Sequence, residues 1–191
     1  VIRRYYAALT ERLSARNSES DEVEQIERIM DEPELKPEDR KVVPAALAAE
    51  RDDAPAAAIE LRDGTIITGK NKTVFGCASA AVINAIKHLA GIPDEKELVP
   101  NYLLNPVQNL KTTYLGGKNP RLHVDEALIA IAVNAADDEY AARALQKLPE
   151  LQGCDMHLTV IPSATEIATL RKLKINFTCE PKYQGNKLFR L

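Results

Sequence analysis

One helical stretch with almost no polar side constrains this chain most. Residues 73–90 are small or apolar at nearly every position, broken only by Ser79, Asn84, Lys87 and His88. A helix that is apolar most of the way round must be sandwiched by neighbours. Two short β-rich runs precede it, residues 58–61 and 65–68, and they flank Arg62-Asp63-Gly64. Asp-Gly between such runs signals a tight hairpin, because both residues accept the positive φ that hairpin turns require. A second signal comes late in the chain. Residues 156–161 alternate as a strand, with Met156, Leu158 and Val160 on one face, and Ser163-Ala164-Thr165-Glu166 is a capping box opening a helix to about Lys174. Ile175, Phe177 and Cys179 then alternate in a last strand. A hairpin, a buried helix and a strand–helix–strand unit predict an α/β fold with α+β elements, a layered sheet with helices packed on it.

The remaining periodic segments are helical. Residues 2–16 place Ile2, Tyr5, Tyr6, Leu9 and Leu13 on one face. Residues 21–31 turn Val23, Ile26, Ile29 and Met30 inward, and 38–51 form a third stretch restarted at Pro44. Further helices are expected over 101–115, 124–136 and 138–148. Residues 1–53 carry 9 Lys/Arg against 14 Asp/Glu, whereas residues 54–191 are weakly basic. This change of character, with Asp-Asp-Ala-Pro-Ala at 52–56, divides the chain into a helical subdomain (1–53) and a C-terminal subdomain (54–191). The chain opens inside a helical pattern, which reads as the C-terminal part of a longer protein.

Composition narrows the functional classes. A net charge of −3 and the absence of Trp argue against a general phosphate-backbone or base-stacking surface, so nucleic acid is not an expected partner. The longest apolar run, Ala127 to Val133, cannot span a bilayer. Three cysteines, Cys77, Cys154 and Cys179, make no CxxC pair, which indicates neither a disulfide framework nor a zinc site. A reducing cytoplasm is the simplest setting.

Polar motifs gather in two loops. The stretch from Gly64 to Asn71 matches a phosphate-loop pattern loosely, but its middle is a strand and Asn71 lacks the magnesium-binding hydroxyl. A weaker reading keeps Gly69, Lys70 and Thr73 at a strand-to-helix junction, where free amides and a Lys favour an anion. Cys77 sits near the start of the buried helix, where a thiol can be activated, yet its small apolar neighbours fit a packing residue. The second loop, residues 116–123, brings Lys118, Asn119, Arg121 and His123, all donors to an anion or carbonyl. Its ordinary alternative is an exposed loop whose His123 or Asp125 caps the next helix. His157, inside a strand, reads first as a structural hydrogen-bonder. No spacing among His88, His123 and His157 supports a metal site.

The stretches 2–6, 59–70, 114–123, 151–157 and 177–181 resemble the C-terminal part of the DUF1846 (UPF0371) family, bacterial proteins of uncharacterised function. The resemblance covers essentially the whole chain. It implies a missing N-terminal region with a Gly-rich segment suggestive of phosphate binding. It also implies a helical subdomain followed by a three-layer α/β/α unit of cytidine-deaminase-like topology. Deaminase chemistry does not follow. Neither the His/Cys-x-Glu nor the Pro-Cys-x-x-Cys that a zinc deaminase needs is present.

Two functions are therefore expected, and neither fixes a reaction or a cofactor. In the first, Gly69, Lys70, Ser79, Lys118, Asn119, Arg121, His123 and His157 bind a phosphate- or carboxylate-bearing metabolite together with the missing N-terminal region. Lys118 and Arg121 then face one cavity. In the second, the chain is a non-catalytic structural domain, packing on that region or on a second copy as a homo-oligomer.

Overall fold

The hairpin forms where Asp63 and Gly64 require it. In the computed structural model, which describes residues 1–14, 21–51 and 54–184, β1 (Ala56–Glu60) and β2 (Ile66–Lys70) pair antiparallel. Gly64 takes a positive φ of 85°, and the Asp63 carboxylate accepts the Thr65 N–H at 2.9 Å. β1 begins two residues before the expected run, and β2 ends two residues beyond it. β3 (Asp155–Leu158) pairs antiparallel with β1, and β4 (Asn176–Cys179) pairs parallel with β3. The order is β2-β1-β3-β4, a mixed sheet of four strands. The parallel pair is linked by α8 (Ala164–Lys172), capped by Ser163 and Glu166 as expected.

Register assigns the two faces. Ala58, His157 and Thr178 are consecutive cross-strand partners and share one face. Over it lie α1 (Ile2–Ser14) and α3 (Val42–Ala49), with Val42 and Ala46 against Ala58. Pro44 sits in the first turn of α3, where its missing N–H costs nothing. Of the expected boundary at 52–56, residues 52 and 53 lie outside the described residues; α3, before it, rests on three of the strands after it. The opposite face, with Ala57, Ile59, Met156 and Leu158, is covered by α4 (Cys77–Leu89). Behind α4 come α6 (Val124–Asn134) and α7 (Glu139–Gln146). This is the sandwich the all-apolar stretch demanded. The approach is closest at Gly69: a Cβ there would lie 2.1 Å from the Ala81 nitrogen.

Some local expectations are corrected. The buried helix begins at Cys77 and not at 73, because Gly76 is extended and Asn71 Oδ1 accepts the Cys77 N–H at 2.6 Å, ending the loop there. α2 (Glu22–Asp31) leaves Ile29 58% exposed, while Val23, Ile26 and Met30 pack against Ala8 of α1. Three buried positions suffice to dock a helix of ten residues, and Ile29 falls outside the stripe. α5 (Asn101–Asn109) contains Pro106 and runs on into a π-helical turn, Leu110–Tyr114.

Candidate functional site

The two polar loops do meet. Phe75 and Leu122 form a parallel bridge, with the Leu122 N–H on the Val74 carbonyl at 2.7 Å and the Gly76 N–H on the Leu122 carbonyl at 3.3 Å. Gln108 Nε2 braces both loops, donating to the carbonyls of Thr73 and Pro120. Lys111 Nζ donates to the Arg121 carbonyl at 2.6 Å and pairs with Glu126 at 2.7 Å, so the second loop is clamped to the start of α6. These contacts give residues 116–123 a defined shape.

Beside the joined loops, at the C-terminal end of β3, lies a cavity of about 330 Å³. The residues that open three helices line it: Gly76 before α4, His123 before α6 and Ser163 before α8. Helix N-termini present unpaired N–H groups and the positive ends of their dipoles. Arg121 and Asn119 line the same cavity. Arg121 Nε donates to the Lys72 carbonyl at 2.7 Å, and Asn119 Oδ1 accepts the Arg121 N–H at 3.0 Å. Partial burial lowers the Arg121 pKa below the usual guanidinium value. Gln184 also lines the cavity, and its buried Nε2 has no hydrogen-bond partner among the described residues.

Negative charge is present as well. The Glu166 carboxylate accepts from the Ser163 N–H and Oγ–H at 3.1 and 3.2 Å, and one of its oxygens faces Gly76. Glu126 accepts the His123 N–H at 2.7 Å. Carboxylates thus occupy part of two helix starts, and the cavity offers both donors and an acid. Cys77 borders it but is 5% exposed, and burial pushes its thiol up to about 12. Such a thiol stays protonated at neutral pH and is a poor nucleophile.

Other residues singled out in the sequence lie elsewhere. Gly69 and Lys70 line a separate cavity of about 670 Å³, beside the outer edge of β2, and the 71–76 loop stands between the two. Ser79 is fully buried and donates to the Leu122 carbonyl at 2.8 Å, pinning α4 to the second loop. Lys118 is exposed and lines neither cavity, so the two cations do not face one space. His157 is fully buried on the opposite face of the sheet. Its Nδ1 meets Thr178 Oγ1 at 2.8 Å, its Nε2 meets Glu180 Oε1 at 3.0 Å, and its ring packs tilted against Tyr6, with centroids 4.8 Å apart. Among the described residues no group of three or more His, Cys, Asp or Glu side chains could hold a metal.

Asn71, Ser163, Glu166 and Gln184 were missed as cavity residues. The available signal was the capping box at 163–166, which marks a helix start and hence a donor-rich terminus.

Residues 38–189 match the family described as "Domain of unknown function DUF1846, C-terminal". The chain belongs to the DUF1846 family. Curated DUF1846 relatives, each called "UPF0371 protein", include one from Corynebacterium aurimucosum, 47% identical over 185 residues and 96% of this chain. Others come from Corynebacterium glutamicum, at 44% over the whole chain, and Streptococcus thermophilus, at 45%. The chain spans 37% or 38% of the length of these DUF1846 proteins. No helix among the described residues is long and apolar enough to cross a membrane.

Proposed function

We propose that this DUF1846 domain binds a small metabolite bearing a phosphate or carboxylate, in the cavity at the C-terminal end of β3. The observation that carries the reading is the meeting of three helix starts, at Gly76, His123 and Ser163, around a cavity that Arg121 also lines. In open α/β sheets ligands sit outside the carboxyl ends of the strands, and helix N-termini favour anions. Arg121 supplies formal charge, and the amides of Asn119 and Gln184 orient the ligand. Glu166 accepts from a hydroxyl or amine of the same molecule, which distinguishes a polar metabolite from a bare ion.

The N-terminal region of the longer polypeptide completes the site, as the small volume of the cavity supports. The strand order, with β1 antiparallel to both neighbours, supports a cytidine-deaminase-like topology without its chemistry. Three free cysteines support a cytoplasmic setting.

Calorimetric titration of the full-length protein with inorganic phosphate, nucleotides and sugar phosphates tests the reading. Arg121→Ala should weaken binding by about 1.5–3 kcal/mol, the range for hydrogen bonds to charged groups. Absence of binding or thermal stabilisation by any of these anions at millimolar concentration would overturn it.

A further inference from the structure

Two neighbouring helices, α5 and α6, also expose apolar side chains that the cavity does not use. Along α5 and its π-helical turn, Tyr102, Leu110, Tyr114 and Leu115 are 70, 51, 73 and 73% exposed, and on α6 Ile129 and Val133 are 64 and 57% exposed. Formal charge is nearly absent from these segments. From 101 to 117 the one charged residue is Lys111, which turns inward to Glu126, and from 127 to 136 there is none. α2 shows what a solvated helix of this protein looks like. Glu24, Glu27, Arg28 and Asp31 make up most of its exposed side. Charge depletion with exposed aromatics is the composition of a protein–protein interface core, and single monomers rarely leave such a surface in water.

We propose that the N-terminal region of the same DUF1846 polypeptide packs on this face. The matched family is the C-terminal part of its proteins, and more than half the length of the relatives lies outside the matched span. A region covalently joined to this chain is held at high effective concentration. The face is also preorganised, because the Lys111–Glu126 pair locks the start of the π-helical turn to α6. The same clamp holds the 116–123 loop, which follows Leu115 and lines the cavity through Asn119, Arg121 and His123. The inference rests on exposure and charge, independent of any ligand.

The test is hydroxyl-radical footprinting of the full-length protein, with each residue normalised to the denatured chain. Labelling at Tyr102, Tyr114, Leu115 and Ile129 should be lost while Ile29 on α2 is labelled normally. Full labelling at these positions would overturn the proposal. A full-length Leu115→Glu, Ile129→Glu variant separates the other occupant. It should keep the wild-type copy number by light scattering and expose the N-terminal region to limited proteolysis. An oligomer that falls to single copies in the variant would assign the face to a second copy and overturn the proposal.

Discussion

The two faces of the sheet are held by different physics. On the α4 side the contacts are apolar and close: Ala57, Ile59, Met156 and Leu158 meet a helix of small residues, and Gly69 lets the backbones approach. On the α1/α3 side the sheet presents His157 and Thr178, both buried. There Arg40 threads under α3 and donates to the carbonyls of Met156 and Asn176, to Thr178 Oγ1, and to Asp155, with which it also pairs. Tyr6 and His157 meet Glu180, and Thr159 links the Ala56 N–H to Glu50. An apolar face is sensitive to volume. A polar one depends on each partner being in place, since every removed partner strands a buried group.

Breaking that difference begins at Arg40. Arg40→Ala leaves buried acceptors without a donor and should cost roughly 3–5 kcal/mol in urea unfolding. A loss under about 1 kcal/mol would mean the polar face is redundant. Gly69→Ala attacks the opposite face by volume alone. β2 and α4 must move apart, at about 1–3 kcal/mol, the usual cost of overpacking. Ser79→Ala removes one hydrogen bond within the apolar layer and should cost about 1 kcal/mol, because Leu122 keeps a backbone donor in Gly76.

The smallest effect is in pH dependence, and on the polar face it falls to Glu180. Hydrogen bonding from His157 holds the Glu180 carboxyl below its ordinary value of 4.5. Its contribution to stability is therefore complete above that pH and is lost as pH falls through the lowered folded value. An acid titration of stability should show this loss in the wild type, and Glu180→Gln should remove that share of it. A Glu180→Gln profile superimposable on the wild type would assign the acid response to other carboxylates.

What the sequence alone determined is local. The Asp63-Gly64 turn and the Ser163–Glu166 capping box depend on contacts within a few residues and appear where the pattern required, and the apolar stretch over 73–90 contains the helix it demanded. Boundaries were less legible. Helix α4 starts at Cys77 because Asn71, six residues back, caps it. The site was legible only in part. The 116–123 loop was visible as a donor cluster, but Lys118 and Arg121 looked equivalent there. Only packing turns Arg121 toward the cavity and leaves Lys118 outside. Strand register decides that His157 faces Tyr6 and Glu180, away from the cavity. The tertiary structure likewise separates Lys70 from Arg121 and gathers Gly76, His123 and Ser163 from distant positions. The physical reason is that backbone chemistry sets each helix start locally, whereas which starts share one space depends on how the sheet and its helices pack.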